Sequence, residues 1–182
     1  MNPLTHFKKI VTLPLLIAPA LIALVASAPA PVFATPQCGF SSANLLFPGT
    51  TMGAYFPSGA LNLMCRSNLP EWLLHTRVRG DSDLYITQNT IQPGGQSGWH
   101  THPGPSMVTV TEGTVTVYEE DCTSTTYSVG QTFTDIGCGD VHNLRNETGV
   151  VAKTISVQIV PHGATRRIDA GDPGCPQVPP CP

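Results

Sequence analysis

The sequence predicts an all-β protein, a single antiparallel sandwich or barrel, and three observations carry that prediction. Short runs rich in Val, Thr, Ile and Tyr recur along the chain beyond residue 70, a composition suited to a pleated, half-buried surface. Turn residues separate several of them, as at Pro93-Gly94-Gly95, Pro103-Gly104-Pro105 and Glu112-Gly113. No stretch after residue 34 sets apolar residues at helical spacing. Many short strands at this spacing argue for a sandwich or barrel, and 182 residues fit one domain.

Taken in order, residues 1–34 read as a secretory signal peptide: a basic start (MNPLTHFKK), an apolar uncharged run, and Val32-Phe33-Ala34 before the cleavage point. An uncleaved membrane anchor is the competing reading, and Pro14, Pro19, Pro29 and Pro31 count against it. Cys38 follows Thr-Pro-Gln, which is no lipobox. The expected product is secreted or periplasmic, with no membrane association once the leader is gone. Residues 35–75 are rich in Pro, Gly, Ser and Asn, and the first charge after Lys9 is Arg66. This segment is expected to be irregular, with one or two short strands, packed on the main domain. Strands are then expected at 72–78, 84–91, 98–102, 107–111, 114–119, 126–128, 131–135, 141–145 and 150–160, so that residues 76–168 form the barrel. The tail 169–182 is Pro- and Cys-rich and needs its cysteines to hold it in place.

The full chain carries 9 basic and 12 acidic residues; Lys8 and Lys9 leave with the leader, so 7 remain against 12, a net charge of −5. No basic patch recommends nucleic acid as a partner. All six cysteines lie beyond residue 34, an even count that points to disulfides in an exported domain. No Cys-x-x-Cys pair suggests a thiolate metal site. Gly-x-Ser-x-Gly, P-loop and dinucleotide-binding motifs are also missing from the sequence.

The residues that point to chemistry are His100 and His102, two apart, with His142 forty residues on. On an extended strand, residues two apart project to the same face. Three converging neutral imidazoles would suit a transition metal better than calcium or magnesium. Trp99 reads as barrel wall, and Tyr118, Phe133, Val108 and Val110 as core. His75 and His162 have no partner pattern and read as surface or satisfied side chains. Asn146-Glu147-Thr148 fits a glycosylation acceptor only formally. No Asp, Glu or Tyr is identified at an inward strand position, so no general acid or base is nominated.

Residues 94–113 resemble the first cupin motif: Gly, five residues, His-x-His, three or four residues, Glu, six residues, Gly. Gly94, His100, His102 and Gly113 fall into place, but Ser106 stands at the glutamate position. Residues 130–146 resemble the second motif through Gly130, Gly139, His142 and Asn146, with Gly137 where the family usually has proline. The likeness spans residues 80–160 and extends to small exported bacterial cupins with His-x-His-Pro-Gly-Pro and no motif glutamate. It implies a single cupin double-stranded β-helix, a jelly-roll-like barrel, with disulfide-tethered N- and C-terminal extensions. It implies further that His100, His102 and His142 bind one divalent transition metal (Fe, Zn, Mn, Cu or Ni) at the barrel mouth. Ser106 offers only a neutral hydroxyl, and Glu112 lies at the turn before Gly113, where a solvated carboxylate is expected. Some cupins, including thiol dioxygenases, work with three histidines; others have lost the metal and only bind ligands.

Two functions are therefore expected in competition. One is metal-dependent Lewis-acid or dioxygen chemistry on a small-molecule substrate; the other is a non-catalytic module binding a small ligand or sugar without metal. A homodimer is admitted as an assembly. The similar exported cupins also carry cysteines at the positions of Cys122 and Cys175, which implies that pairing, with Cys122–Cys138 as its rival. Cys38–Cys65 is then the local pair in the charge-free N-terminal segment, which leaves Cys138 with Cys181.

Overall fold

A computed structural model describes residues 34–179 and 181. The expected leader, apart from Ala34, lies outside the described residues. Thirteen strands and no helix make up the described chain. They are β1 (Cys38–Asn44), β2 (Ala54–Phe56), β3 (Leu63–Arg66), β4 (Leu73–Thr76), β5 (Ser82–Gln96), β6 (His100–Thr101), β7 (Ser106–Glu112), β8 (Thr114–Glu119), β9 (Ser124–Ser128), β10 (Thr132–Asp135), β11 (His142–Arg145), β12 (Ala152–Pro161) and β13 (Ile168–Asp169). Every strand predicted beyond residue 70 is present, with its ends moved by a few residues.

Eleven of the strands share one antiparallel sheet that curls into a nearly closed barrel. Its path runs β10-β7-β12-β5-β11-β6-β13, with β1 and β2 added to β5, and β8 joining β11 to β9. Its backbone is the β5–β12 pair, in register from Ser82↔Pro161 to Ile91↔Ala152. Alternation along β12 is complete: Ala152, Thr154, Ser156, Gln158 and Val160 are buried while the residues between them are half-exposed. The floor of the barrel is an apolar cluster of Ile91, Val110, Val115, Val117, Leu144 and Ala152.

Three features differ from the sequence reading. Residues 35–75 contain three complete strands and part of the β3–β4 hairpin; β1 and β2 are hydrogen-bonded into the main sheet along β5. Pro93-Gly94-Gly95 does not end its strand, because β5 runs on to Gln96. Gly95 makes that continuation possible, since a Cβ there would stand 2.7 Å from the Gly39 carbonyl oxygen of the adjoining strand.

The third difference is the disulfide pairing. Cys122–Cys175 forms, as the family resemblance implied, but its companion is Cys38–Cys181, and Cys65 and Cys138 are free and exposed. Neither Cys38–Cys65, Cys138–Cys181 nor the rival Cys122–Cys138 exists. Strand register is the reason. Cys38 lies opposite Gln96 at the end of β5, and the Gln96 side chain donates to the Pro179 carbonyl, holding the tail beside Cys38. The Cα atoms of Cys38 and Cys181 are therefore 5.7 Å apart despite a separation of 143 residues. Cys65 is carried away on the β3–β4 hairpin, which belongs to a separate two-stranded sheet. The tail is anchored a second time where Cys175 and Val178 bury themselves against Trp99 and Tyr118.

Candidate metal centre

His100 and His142 are direct cross-strand partners at the ends of β6 and β11, so their side chains leave the sheet on the same face. His102 follows β6 by one residue and joins them. Ring centroids are 4.4 Å apart for His100–His142, 4.8 Å for His100–His102 and 5.4 Å for His102–His142. One nitrogen from each ring lies within 4.8 Å of the others. The loop after β10 seats His102: Gly137, at φ +63°, lets the backbone pass where a Cβ would collide with the Gly104 carbonyl oxygen. The next residue, Cys138, then donates its N–H to the His102 carbonyl at 2.6 Å.

Backbone carbonyls set the tautomers. His100 Nδ1–H donates to the Gly98 carbonyl at 2.8 Å, and His102 Nδ1–H donates to the Arg166 carbonyl at 2.6 Å. An imidazole that donates through Nδ1 keeps its lone pair on Nε2, the arrangement a metal ligand requires. Protonation is also suppressed. Burial pushes His100 well below the ordinary histidine range, with His142, Arg167 and His102 adding to the effect. Burial lowers His142 to about 4 against the opposing pull of Asp135, and it lowers His102 against the Arg166 carbonyl and Asp135. Neutral rings at neutral pH are ligands rather than charge partners, so the three histidines fit a divalent transition metal.

These rings open on a cavity of about 180 Å³. Phe40, Val108, Phe133 and Leu144 give it apolar walls, while Thr87, Asn89 and Ser156 line it with polar groups. Each of these three has a partner: Thr87 and Ser156 share a 2.7 Å hydroxyl contact, and Asn89 donates to Thr154 Oγ1 at 3.1 Å. Ser106 also faces the cavity, and its hydroxyl accepts from Gln158 Nε2 at 3.1 Å. Gln158 Oε1 in turn accepts from Arg166 Nε at 2.9 Å.

Asp135 is the site residue that sequence reading missed. Its side chain is 8% exposed and lines the cavity, with Oδ2 3.4 Å from His102 Nε2 and Oδ1 3.6 Å from His142 Nδ1. A signal was present: Phe133 was read as core in a strand over 131–135, and period-two alternation sends Asp135 to the same side. The remaining assignments divide cleanly. Trp99 is 1% exposed and packs on Tyr118, outside the cavity lining. Glu112 pairs with Lys153 at 2.7 Å, remote from the histidines, as its turn position suggested. His162 is satisfied by Asp83 at 2.9 Å, and His75 is exposed. Asn146 is fully buried and donates to the Ile91 and Val150 carbonyls, a structural role that leaves its amide inaccessible to a glycan.

The barrel, the paired motifs and the inward histidines converge on one family, and residues 88–158 match its sequence pattern, described as Cupin domain. The chain carries a cupin domain. No curated protein matches this cupin. Among solved structures it resembles a conserved protein of unknown function from Streptococcus pyogenes, at 27% identity and TM-score 0.40, covering 50% of this chain and 72% of that one. An uncharacterized conserved protein with a double-stranded β-helix domain from Klebsiella pneumoniae subsp. pneumoniae is 22% identical, at TM-score 0.43, covering 48% and 75%. A polyketide cyclase from Streptomyces resistomycificus is 20% identical, at TM-score 0.41, covering 50% and 64%. Among the described residues no helix of the cupin is long and apolar enough to cross a membrane.

Proposed function

We propose that this cupin is an exported protein that binds one divalent transition metal through His100, His102 and His142 and acts on a small molecule in the barrel cavity. Three neutral imidazoles converging on one cavity, two buried and one half-buried, two of them oriented by backbone carbonyls, carry this reading. The bound cation would supply Lewis acidity toward a substrate oxygen, or redox chemistry with dioxygen. The protein's own contribution is orientation and exclusion of water. The apolar walls desolvate the substrate, and the paired hydroxyls and Asn89 offer hydrogen bonds whose positions are already set. A cavity near 180 Å³ is below the roughly 300–1,000 Å³ of sites for drug-sized ligands, so the substrate is small.

Asp135 beside the histidines supports an enzyme over a metal-free module that binds a small ligand or sugar, because titratable groups gather at working sites. The two disulfides and the leader-like segment support export, with the mature chain beginning at Thr35. Metal analysis of protein purified from the extracytoplasmic fraction without a His-tag tests the first part. About one equivalent of Fe, Zn, Mn, Cu or Ni is expected, and protein that neither carries nor takes up any of these would defeat it. N-terminal sequencing of the same sample tests export, with Thr35 expected as the first residue and retention of Met1 as the contrary result.

A further inference from the structure

The cupin motif glutamate is missing at Ser106, yet the cavity does not lack a carboxylate. Strand β10 pairs with β7 so that Asp135 lies directly across from Ser106, just as Phe133 lies across from Val108. Cross-strand partners in an antiparallel pair project from the same face of the sheet. Position 135 is therefore the nearest place on the neighbouring strand from which a carboxylate can reach the volume a side chain at 106 would fill. Ser106 supplies no anionic donor: its neutral hydroxyl already accepts from Gln158.

Asp135 has one structural bond, Oδ1 accepting from the Gly137 N–H at 2.8 Å in the turn after β10, and that bond leaves Oδ2 unaccounted for. Among the described residues no Lys or Arg pairs with Asp135, although it is 8% exposed. Arg166 is engaged with Gln158 and Arg167 with Asp169. Asp135 Oδ2 accepts no hydrogen bond among the described residues and stands 3.4 Å from His102 Nε2, while Oδ1 lies 3.6 Å from His142 Nδ1, both longer than the roughly 2.7–3.2 Å of a hydrogen bond. One backbone bond does not neutralise a buried carboxylate whose other oxygen faces neutral rings, and a cation sharing the space would offset that charge.

We propose that Asp135 is the anionic ligand of the histidine site, the motif carboxylate having moved across the β7–β10 pair from position 106 to position 135. This rests on the metal reading above. It gives the site three neutral nitrogens and one carboxylate, the composition the motif glutamate would have completed, and it halves the uncompensated charge of a divalent cation.

The test is titration of Co²⁺ and Mn²⁺ into the full mature protein, with affinity and the Co²⁺ visible spectrum as readouts, for the parent, Asp135→Asn, Ser106→Glu with Asp135→Asn, and Glu112→Ala. Asp135→Asn should weaken binding by at least tenfold and change the Co²⁺ spectrum, while Glu112→Ala matches the parent. The double variant should recover most of the lost affinity, because the carboxylate returns to the same volume from the other strand; it also keeps the test usable if the single variant misfolds. Parent-like affinity and spectrum in Asp135→Asn overturn the proposal, as does a double variant that binds no better than the single one. A parent that binds neither ion removes the metal reading, and this inference with it, which is a different result from a parent that binds and an Asp135→Asn variant that binds equally well.

Discussion

The two ends of the barrel are built by the same strands with opposite chemistry. At the floor, β5 contributes Ile91, β7 Val110, β11 Leu144 and β12 Ala152, all buried against one another. A few residues along those strands, the inward positions become Thr87 and Asn89, Ser106, His142, and Ser156 and Gln158. Backbone geometry is shared, so the difference lies in the side chains alone. The floor gains stability from apolar area removed from water, at about 25 cal/mol per Å². The mouth buries polar groups whose desolvation must be offset by partners, and most of them have one. Stability is concentrated at one end of the barrel, and chemical capacity at the other.

The largest expected effect comes from the floor and its tethers. Ile91, fully buried, should cost roughly 2–5 kcal/mol of unfolding free energy on replacement by Ala, with metal stoichiometry unchanged in the folded fraction; chemical denaturation and metal analysis of one sample would show both. A loss of metal from well-folded Ile91→Ala protein would break the separation of the two ends. Removing Cys38–Cys181 by paired serine substitutions should cost roughly 4–5 kcal/mol on the chain-entropy scale, because the bridged residues are 143 apart. Removing Cys122–Cys175, at a separation of 53, should cost roughly 3–4 kcal/mol on the same scale. If the shorter bridge matters more, tail packing on Trp99 outweighs chain entropy.

At the mouth the balance should reverse. His102→Ala should abolish metal uptake and cost roughly 1–3 kcal/mol of stability, since it takes the 2.6 Å donor away from the Arg166 carbonyl. Acid offers a gentler probe. In metal-free protein the three histidines are held below the ordinary value near 6.5 by burial, His142 at about 4. The unfolded chain then takes up more protons than the folded one below pH 6.5. Stability should thus be full above that pH and fall between about 6.5 and 4, with up to about 1.4 kcal/mol per pH unit from each imidazole. Urea midpoints across that range should flatten in His142→Gln; an unchanged slope would place the acid sensitivity elsewhere. The smallest effect is expected from Glu112→Ala, whose exposed pair with Lys153 should be worth less than about 1 kcal/mol, read by the same denaturation.

What could be read from the sequence was what local chemistry determines. Period-two alternation and β-branched composition located the strands beyond residue 70, because strand formation is signalled by neighbours along the chain. His-x-His with a later histidine marked three of the cavity residues for the same reason, and Glu112 declared itself a surface group by its place at a turn. Strand pairing decided the rest. Cys38 meets Cys181 because β1 pairs with the far end of β5, where the tail is held by Gln96, and no spacing rule joins residues so distant. Residues 93–95 look like a terminator and become strand because Gly39 packs closely above them. Asp135 faced inward by alternation, but only the register of β10 on β7 set it opposite Ser106 and beside two histidines. Alternation belongs to the single strand; register belongs to the sheet, which exists only once the chain has closed on itself.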